Sequence, residues 1–343
     1  MGSAPGFRYQ NGGLHFPGLG LWMDPKRAVR SGEWVVVTHA HSDHTARHSA
    51  VILTEPTRRL MRQRIPGNRL ERVLDYHSPL DSHRLGEPTP RAPFTLSLHP
   101  AGHILGSAMA RLEFGGDSVL YTGDFKLRPG LAAEPCEPVA ARTLIMETTY
   151  GRPRYRFPPN EDVRRDIVAF CREALADDHT PVLLGYSLGK SQEILSALEG
   201  SGLPIQLHPS SAAMTRIYME LGRRFPAWEP LDPATARGRV VITPTARPLL
   251  SDPGLTGPLR IASISGWALD SRASGDPSHR NPHRRFPLSD HADYDDLLEF
   301  VRRVAPERVF TLHGFASDFA RVLRRQGIDA CAISEDDQLE LPL

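Results

Sequence analysis

Apolar residues along this chain fall in short unbroken runs, separated by stretches where apolar positions recur every three or four residues. The runs WVVVT (34–38), AVILT (50–54), FTLSLHP (94–100), SVLYTGD (118–124), TLIMETT (143–149), PVLLGYS (181–187), RVVIT (239–243), RIASISG (260–266) and RVFTLHG (308–314) are predicted strands. Near-continuous apolarity of that length suits strands buried on both faces. Helical spacing marks 160–177, 190–200 and 292–306, where an apolar stripe alternates with charge. The alternation predicts a mixed α/β protein. Residues 268–290 are rich in Pro, Ser, Arg and His without an apolar period, and read as a loop or an interdomain crossing. No repeat of fixed period is visible.

Polar residues capable of chemistry gather where the predicted strands end. Thr38 to His44 follow one strand, and His103, Asp124, Glu147 and His313 each follow another. Loops at the carboxyl ends of strands collect active sites, because a rigid sheet positions side chains that the loops leave accessible.

Composition narrows the partners only slightly. The 343 residues suffice for one large domain or two moderate ones, and a formal charge of +1 neither requires nor forbids a polyanion. Lys26, Lys126 and Lys190 are the only lysines, so nearly all cationic charge is arginine. Spread along the whole chain, it reads as a genomic bias. Cys136, Cys171 and Cys331 are widely separated, which implies neither a disulfide framework nor a cysteine metal site. The first residues lack a signal-peptide pattern, and no apolar run reaches membrane-spanning length. The default expectation is a cytoplasmic protein without membrane contact.

The segment THAHSDHT, Thr38 to Thr45, concentrates the candidate chemistry. In an extended loop His39 and His41 can point the same way toward one metal, while Asp43 and His44 address a second. Neutral imidazoles with carboxylates suit zinc, and manganese is compatible. Downstream, PAGHILGSA supplies His103 between two glycines, and LYTGDFK supplies Asp124. Either alone reads equally well as a structural histidine or a turn aspartate.

Taken together, the ordered series HxHxDH, His103, Asp124, His313 resembles the metallo-β-lactamase superfamily. The resemblance implies an αββα sandwich with a two-metal site, in which His39, His41 and His103 hold one ion, Asp43, His44 and His313 hold the other, and Asp124 bridges. It also implies that Asp24 supports the ligand loop, against the plainer reading of an Asp-Pro turn. The METTYG, PVLLGYSLGKSQE, ISGW and PLSDHADYDD segments are similar to the β-CASP nucleases. That likeness implies a small α/β insert at 151–287 within a metallo-β-lactamase domain formed by 1–150 and 288–343.

Two further sites follow. SLGKS opens a helix, so Ser187, Gly189, Lys190 and Ser191 are candidate phosphate contacts, with a plain helix cap as the alternative. The spacing is not a P-loop, since that motif would need glycine at Leu184. His291 is a candidate general acid or phosphate contact that Glu147 keeps protonated, against a bystander in a helix start capped by Ser289 or Asp290. Asp43, Asp124, Glu147 and His291 thus form the expected catalytic set. They would serve phosphodiester hydrolysis by a hydroxide held between two divalent ions. The compact set of motifs is most similar to bacterial DNA ligase-associated exonucleases, which implies single-stranded DNA as substrate and a ligase and helicase as functional partners. A histidine at position 313 argues for RNA within the same branch. A thioester hydrolase shares the metal ligands without needing Glu147 and His291, and a non-catalytic scaffold would have decayed ligands.

Overall fold

The computed structural model describes residues 6–29, 32–252, 254–270 and 284–333. Two compact units divide the chain, one formed by Met1–Pro153 with His291–Leu343 and the other by Arg154–Asp290.

In the first unit, β1 (Arg8–Gln10), β2 (Gly13–Phe16), β3 (Leu21–Met23), β4 (Trp34–Val36), β5 (Ala50–Leu53) and β6 (Leu70–Val73) form one sheet in that order. Asn11 and Gly12 both take positive φ between β1 and β2, the backbone that a two-residue hairpin turn requires. The second sheet contains β7 (Leu80–Asp81), β8 (Thr95–Pro100), β9 (Ala108–Phe114), β10 (Asp117–Tyr121), β11 (Thr143–Glu147), β18 (Arg308–Leu312) and β19 (Asp329–Ala332). Its order is β19-β18-β11-β10-β9-β8-β7, with β11 parallel to both neighbours.

Side-chain alternation explains the layers. Ile145 and Phe310 join Leu14, Phe16, Met23, Val36 and Ile52 in a core shared by the two sheets. Their neighbours Leu144, Met146 and Val309 point the other way, onto α6 (Tyr294–Val304) and α7 (Ala316–Arg325). α6 contributes Leu297, Phe300, Val301 and Val304, and α7 contributes Phe319, Ala320 and Leu323. α1 (Glu55–Arg64) packs beside β6, which completes an αββα sandwich. Only Thr57, Leu60 and Met61 of α1 are buried, too short a stripe to announce a helix. Its start is fixed by Thr54, whose hydroxyl accepts from Thr57 N at 3.3 Å.

The second unit is a parallel sheet of β12 (Thr180–Leu184), β13 (Ile205–Leu207), β14 (Glu229–Pro230), β15 (Val240–Thr243), β16 (Leu259–Ile264) and β17 (Arg284–Phe286). Strand order is β14-β13-β15-β12-β16-β17, with α2 (Asn160–Ala176), α3 (Lys190–Ala197), α4 (Pro209–Glu220) and the short α5 (Arg247–Leu250) between strands. Arg284–Phe286 departs from the expected loop, because it adds to β16 as a parallel edge strand. Residues 271–283 of that stretch lie outside the described residues. Among the described residues no helix is long and apolar enough to cross a membrane.

One buried histidine makes stability pH-dependent. His48 is 2% exposed, its ring faces Val29 N and Ala46 N, each at 3.2 Å, and burial pushes its pKa down to about 4. Between about 6.5 and 4 the unfolded chain binds a proton there that the folded chain refuses, so stability falls as pH falls through that window. A shift of this size corresponds to roughly 3 kcal/mol. Urea melts of chelator-treated protein at pH 7.5 and 4.5 should show that loss in wild type and less of it in His48→Asn.

Candidate metal centre

The first sheet delivers THAHSDHT from the end of β4, and the second delivers Asp124 from the end of β10 and Glu147 from the end of β11. Glycines permit the close approach. Gly123 has φ of +53°, and a Cβ there would sit 2.5 Å from Thr38 Oγ1. Gly102 has φ of +78°, and a Cβ would collide with Lys126 O, so the turn before His103 tolerates only glycine without strain.

His39, His41, His103 and Asp124 each place one ligand atom within 4.8 Å of the others. His41 Nδ1 and His103 Nε2 are 3.0 Å apart, while Asp124 Oδ2 is 3.5 Å from His39 Nε2 and 3.8 Å from His103 Nε2. A tetrahedral zinc ion with bonds near 2.1 Å spaces its donors about 3.4 Å apart, and these separations bracket that value. His39 Nε2 is buried with no hydrogen-bond partner, a cost that a cation would remove. The donor set therefore fits a divalent metal.

His44 is built from behind. Asp24, buried and with φ of +48°, accepts from Thr38 N at 2.8 Å and Thr38 Oγ1 at 2.5 Å, and its Oδ2 lies 2.9 Å from His44 Nδ1. A carboxylate can only accept, so Nδ1 carries its proton and Nε2 faces Asp124 Oδ2 at 3.4 Å. Burial alone would lower the pKa of His44, but Asp124 and Asp24 hold it well above the ordinary value. Burial would likewise raise Asp124, yet His44, His291 and His39 hold it well below the usual carboxylate range. His39 is pushed well down by burial and its histidine neighbours.

The remaining expected ligands are looser. Asp43 Oδ2 is 3.8 Å from His44 Nε2 and its side chain is 60% exposed. The His313 ring centroid is 6.1 Å from that of His44, and its backbone adopts φ of +59°, an uncommon conformation for histidine. Among the described residues, Asp43 and His313 join no compact group of ligand atoms.

His291 lies beside this cluster. Its Nδ1 is 2.9 Å from Glu147 Oε1, and its ring centroid is 4.6 Å from that of His103. Glu147 is fully buried and accepts from Thr149 N at 2.9 Å and Phe125 N at 3.4 Å, which fixes both carboxylate oxygens. The helix after His291 is capped by Asp293, which accepts from Asp296 N at 2.9 Å. Neither Ser289 nor Asp290 is that cap.

In the second unit the candidate phosphate contacts serve internal bonds. Lys190 is 2% exposed, donates to Leu288 O at 2.8 Å and pairs with Asp290 at 2.9 Å. Ser191 Oγ bonds Tyr186 O and Ser211 Oγ, and Gly189 N donates to Gln192 Oε1 at 2.7 Å. Ser187 is half-buried, its carbonyl accepting from Gln192 Nε2. A phosphate at Lys190 would have to displace Asp290.

Residues not singled out in the sequence also shape the centre. Thr38 bridges Asp24 and the His39 ring, with Oγ1 3.1 Å from Nδ1. Arg64, at the end of α1, donates to Ala40 O at 2.6 Å, between His39 and His41.

The αββα layers and this donor set define a metallo-hydrolase. Residues 26–165 match the Metallo-beta-lactamase superfamily, and residues 283–332 match the Zn-dependent metallo-hydrolase RNA specificity domain. The two matched segments, which together cover over half of the chain, place it in the metallo-β-lactamase superfamily. It is 48% identical over 330 residues to a probable DNA ligase of Opitutus terrae, covering 96% of this chain and 31% of that one. Transcription termination factor FttA of Methanococcus maripaludis is 30% identical over 205 residues, 51% of this chain and 32% of that one. The chain thus spans about a third of the length of these curated relatives. A protein of unknown function from Enterococcus faecalis V583 shares the fold with a TM-score of 0.62 at 14% identity, covering 91% of this chain and 81% of that one.

Proposed function

We propose that the chain is a metal-dependent nuclease that hydrolyses nucleic-acid phosphodiester bonds, with DNA exonuclease action in repair or processing as the leading reading. The observation that carries it is the Glu147–His291 pair beside His103 and Asp124. Cleaving a phosphodiester expels an alkoxide that needs a proton, whereas a thioester releases a thiolate that needs none. Divalent ions, most simply two zinc ions with manganese as the alternative, would acidify water and neutralise phosphoryl charge when bound. His39, His41, His103 and Asp124 would hold one, with Asp43, His44 and His313 serving the other. Asp24 keeps His44 Nε2 directed at the centre, and Glu147 would hold the Nδ1–H of a His291 imidazolium, so the second proton, on Nε2, is the one that would pass to the leaving oxygen and leave the neutral ring with its proton on Nδ1.

Similarity to a chain named as a probable DNA ligase supports DNA and a ligase as functional partner, while the helicase partner rests on the resemblance of the motifs to ligase-associated exonucleases alone. Similarity to an RNA specificity domain and to a transcription termination factor supports RNA as the second reading. Labelled single- and double-stranded DNA and RNA oligomers, incubated with zinc or manganese and compared with Asp124→Ala, decide between them. Stepwise shortening of DNA ends is expected. Cleavage of RNA alone would transfer the reading to RNA processing, and cleavage of neither would sink the nuclease assignment.

A further inference from the structure

The near-neutral total hides a local excess of positive charge. Residues 45–74 hold seven arginines, Arg47, Arg58, Arg59, Arg62, Arg64, Arg69 and Arg72, against Glu55 and Glu71 as the only acidic residues. That is a net +5 in a chain whose formal total is +1. The fold places this excess on α1, β6 and the flank of the ligand loop.

Its carboxylates do not neutralise it. Glu55 pairs with Arg58 at 2.6 Å, and Glu71 is shared by Arg62 at 2.5 Å, Arg69 at 3.4 Å and Arg58 at 4.0 Å, so two carboxylates face three guanidinium groups. Arg72 Nε is buried with no hydrogen-bond partner. Arg47 and Arg62 are exposed, and both repel Arg69. Desolvated, crowded guanidinium groups are costly, and planar donors of this kind suit phosphate oxygens.

α1 is also fastened to both ligand loops. At its N-terminal end Thr54 and Thr57 hydroxyls donate to Gly106 O at 2.7 and 2.9 Å, in the loop that carries His103. At its C-terminal end Arg64 donates to Ala40 O, in the loop that carries His39 and His41. A ten-residue helix is about 15 Å long, enough to meet several successive phosphates.

Resting on the nuclease reading, we propose that the arginine face of α1 and β6 is a phosphate-backbone track that holds the substrate strand beside the His39–His44 loop. It reads charge rather than sequence. An alternative role, in which arginines on β6 merely discourage strand addition at an exposed sheet edge, predicts no effect on nucleic-acid binding.

The test is equilibrium binding of fluorescent single-stranded DNA and RNA oligomers to the full chain, by anisotropy, between 50 and 300 mM salt, without added metal. Each phosphate contact steepens the dependence of log affinity on log salt by about 0.7 for a single strand. The triple variant Arg47→Gln, Arg59→Gln, Arg62→Gln should therefore bind at least tenfold more weakly at low salt, with a slope shallower by about 2. A charge-matched control, Arg165→Gln, Arg172→Gln, Arg325→Gln, should keep the wild-type slope, and unchanged circular dichroism and melting would show that all are folded. Wild-type affinity and slope in the α1 variant, or an equal loss in the control, would overturn the track alone. A wild-type chain that binds neither polymer would overturn the track and the nuclease reading together.

Discussion

Replacing Asp124 with asparagine is expected to reduce metal-dependent turnover by about 10³-fold or more and to abolish stoichiometric retention of zinc. Asp124 Oδ2 is the atom common to His39, His44 and His103, at 3.5, 3.4 and 3.8 Å. An amide keeps the shape but loses the charge that holds a cation among neutral imidazoles. Zinc content after dialysis, measured beside activity, separates loss of metal from loss of fold. The same geometry makes metal binding a proton-releasing event. In the metal-free chain Asp124 and Asp24 keep His44 protonated well above its ordinary pKa, against the opposing pull of burial. A cation must displace that proton, so zinc affinity should weaken as pH falls. Competition with a chromophoric chelator from pH 6 to 8 would show it in the wild-type chain, as zinc affinity that rises with pH.

How much of this was legible in the chain depends on the element. Strands buried on both faces announce themselves, as in β11, where Thr143 to Glu147 are all buried. α2 and α6 are legible because each carries a full apolar stripe. α1 is not, because seven of its ten residues are Glu, Pro, Arg or Gln outside the buried set and its stability comes from capping and from its tie to Gly106. β17 hides in a Pro- and Arg-rich stretch because a parallel edge strand needs only one buried residue, Phe286.

The candidate site divides in the same way. His39, His41, His103 and Asp124 are adjacent in the fold because each follows a strand end, which the chain displays directly. Lys190 is different. A lysine after a glycine-containing turn has the local chemistry of a phosphate ligand, and only Asp290, a hundred residues on, reveals that its charge is already paired. Arg64 is illegible for the converse reason, since nothing in its neighbours indicates that it reaches Ala40. The arginine excess of 45–74 is visible in the residues but is diluted by a total of +1. Its meaning depends on a helix that periodicity does not reveal.

His291→Ala is expected to lower turnover on oligonucleotides by about 10²- to 10⁴-fold, the range of a lost general acid, while zinc content stays at the wild-type level. Retention of metal is expected because the group of four ligand atoms, from His39, His41, His103 and Asp124, is complete without His291, which belongs instead to groups of three such as that with Asp124 and Glu147. The decisive readout is the leaving group. With bis-p-nitrophenyl phosphate the departing phenolate needs no proton, so His291→Ala should lose far less, whereas a purely structural defect would slow both substrates alike. Glu147→Gln tests the positioning residue behind it. Glu147 Oε1 faces His291 Nδ1 and Phe125 N, and Oε2 accepts from Thr149 N. A glutamine has one acceptor oxygen for these donors, so either Thr149 N or His291 Nδ1–H confronts an NH₂ group. The rate should fall by about tenfold, with the alkaline limb of the pH–rate profile moved toward lower pH, because a neutral amide no longer favours the protonated ring that the general acid requires. An unmoved pH profile in Glu147→Gln, or equal losses on both leaving groups in His291→Ala, would remove His291 from the proton-delivery role and leave it a phosphate contact.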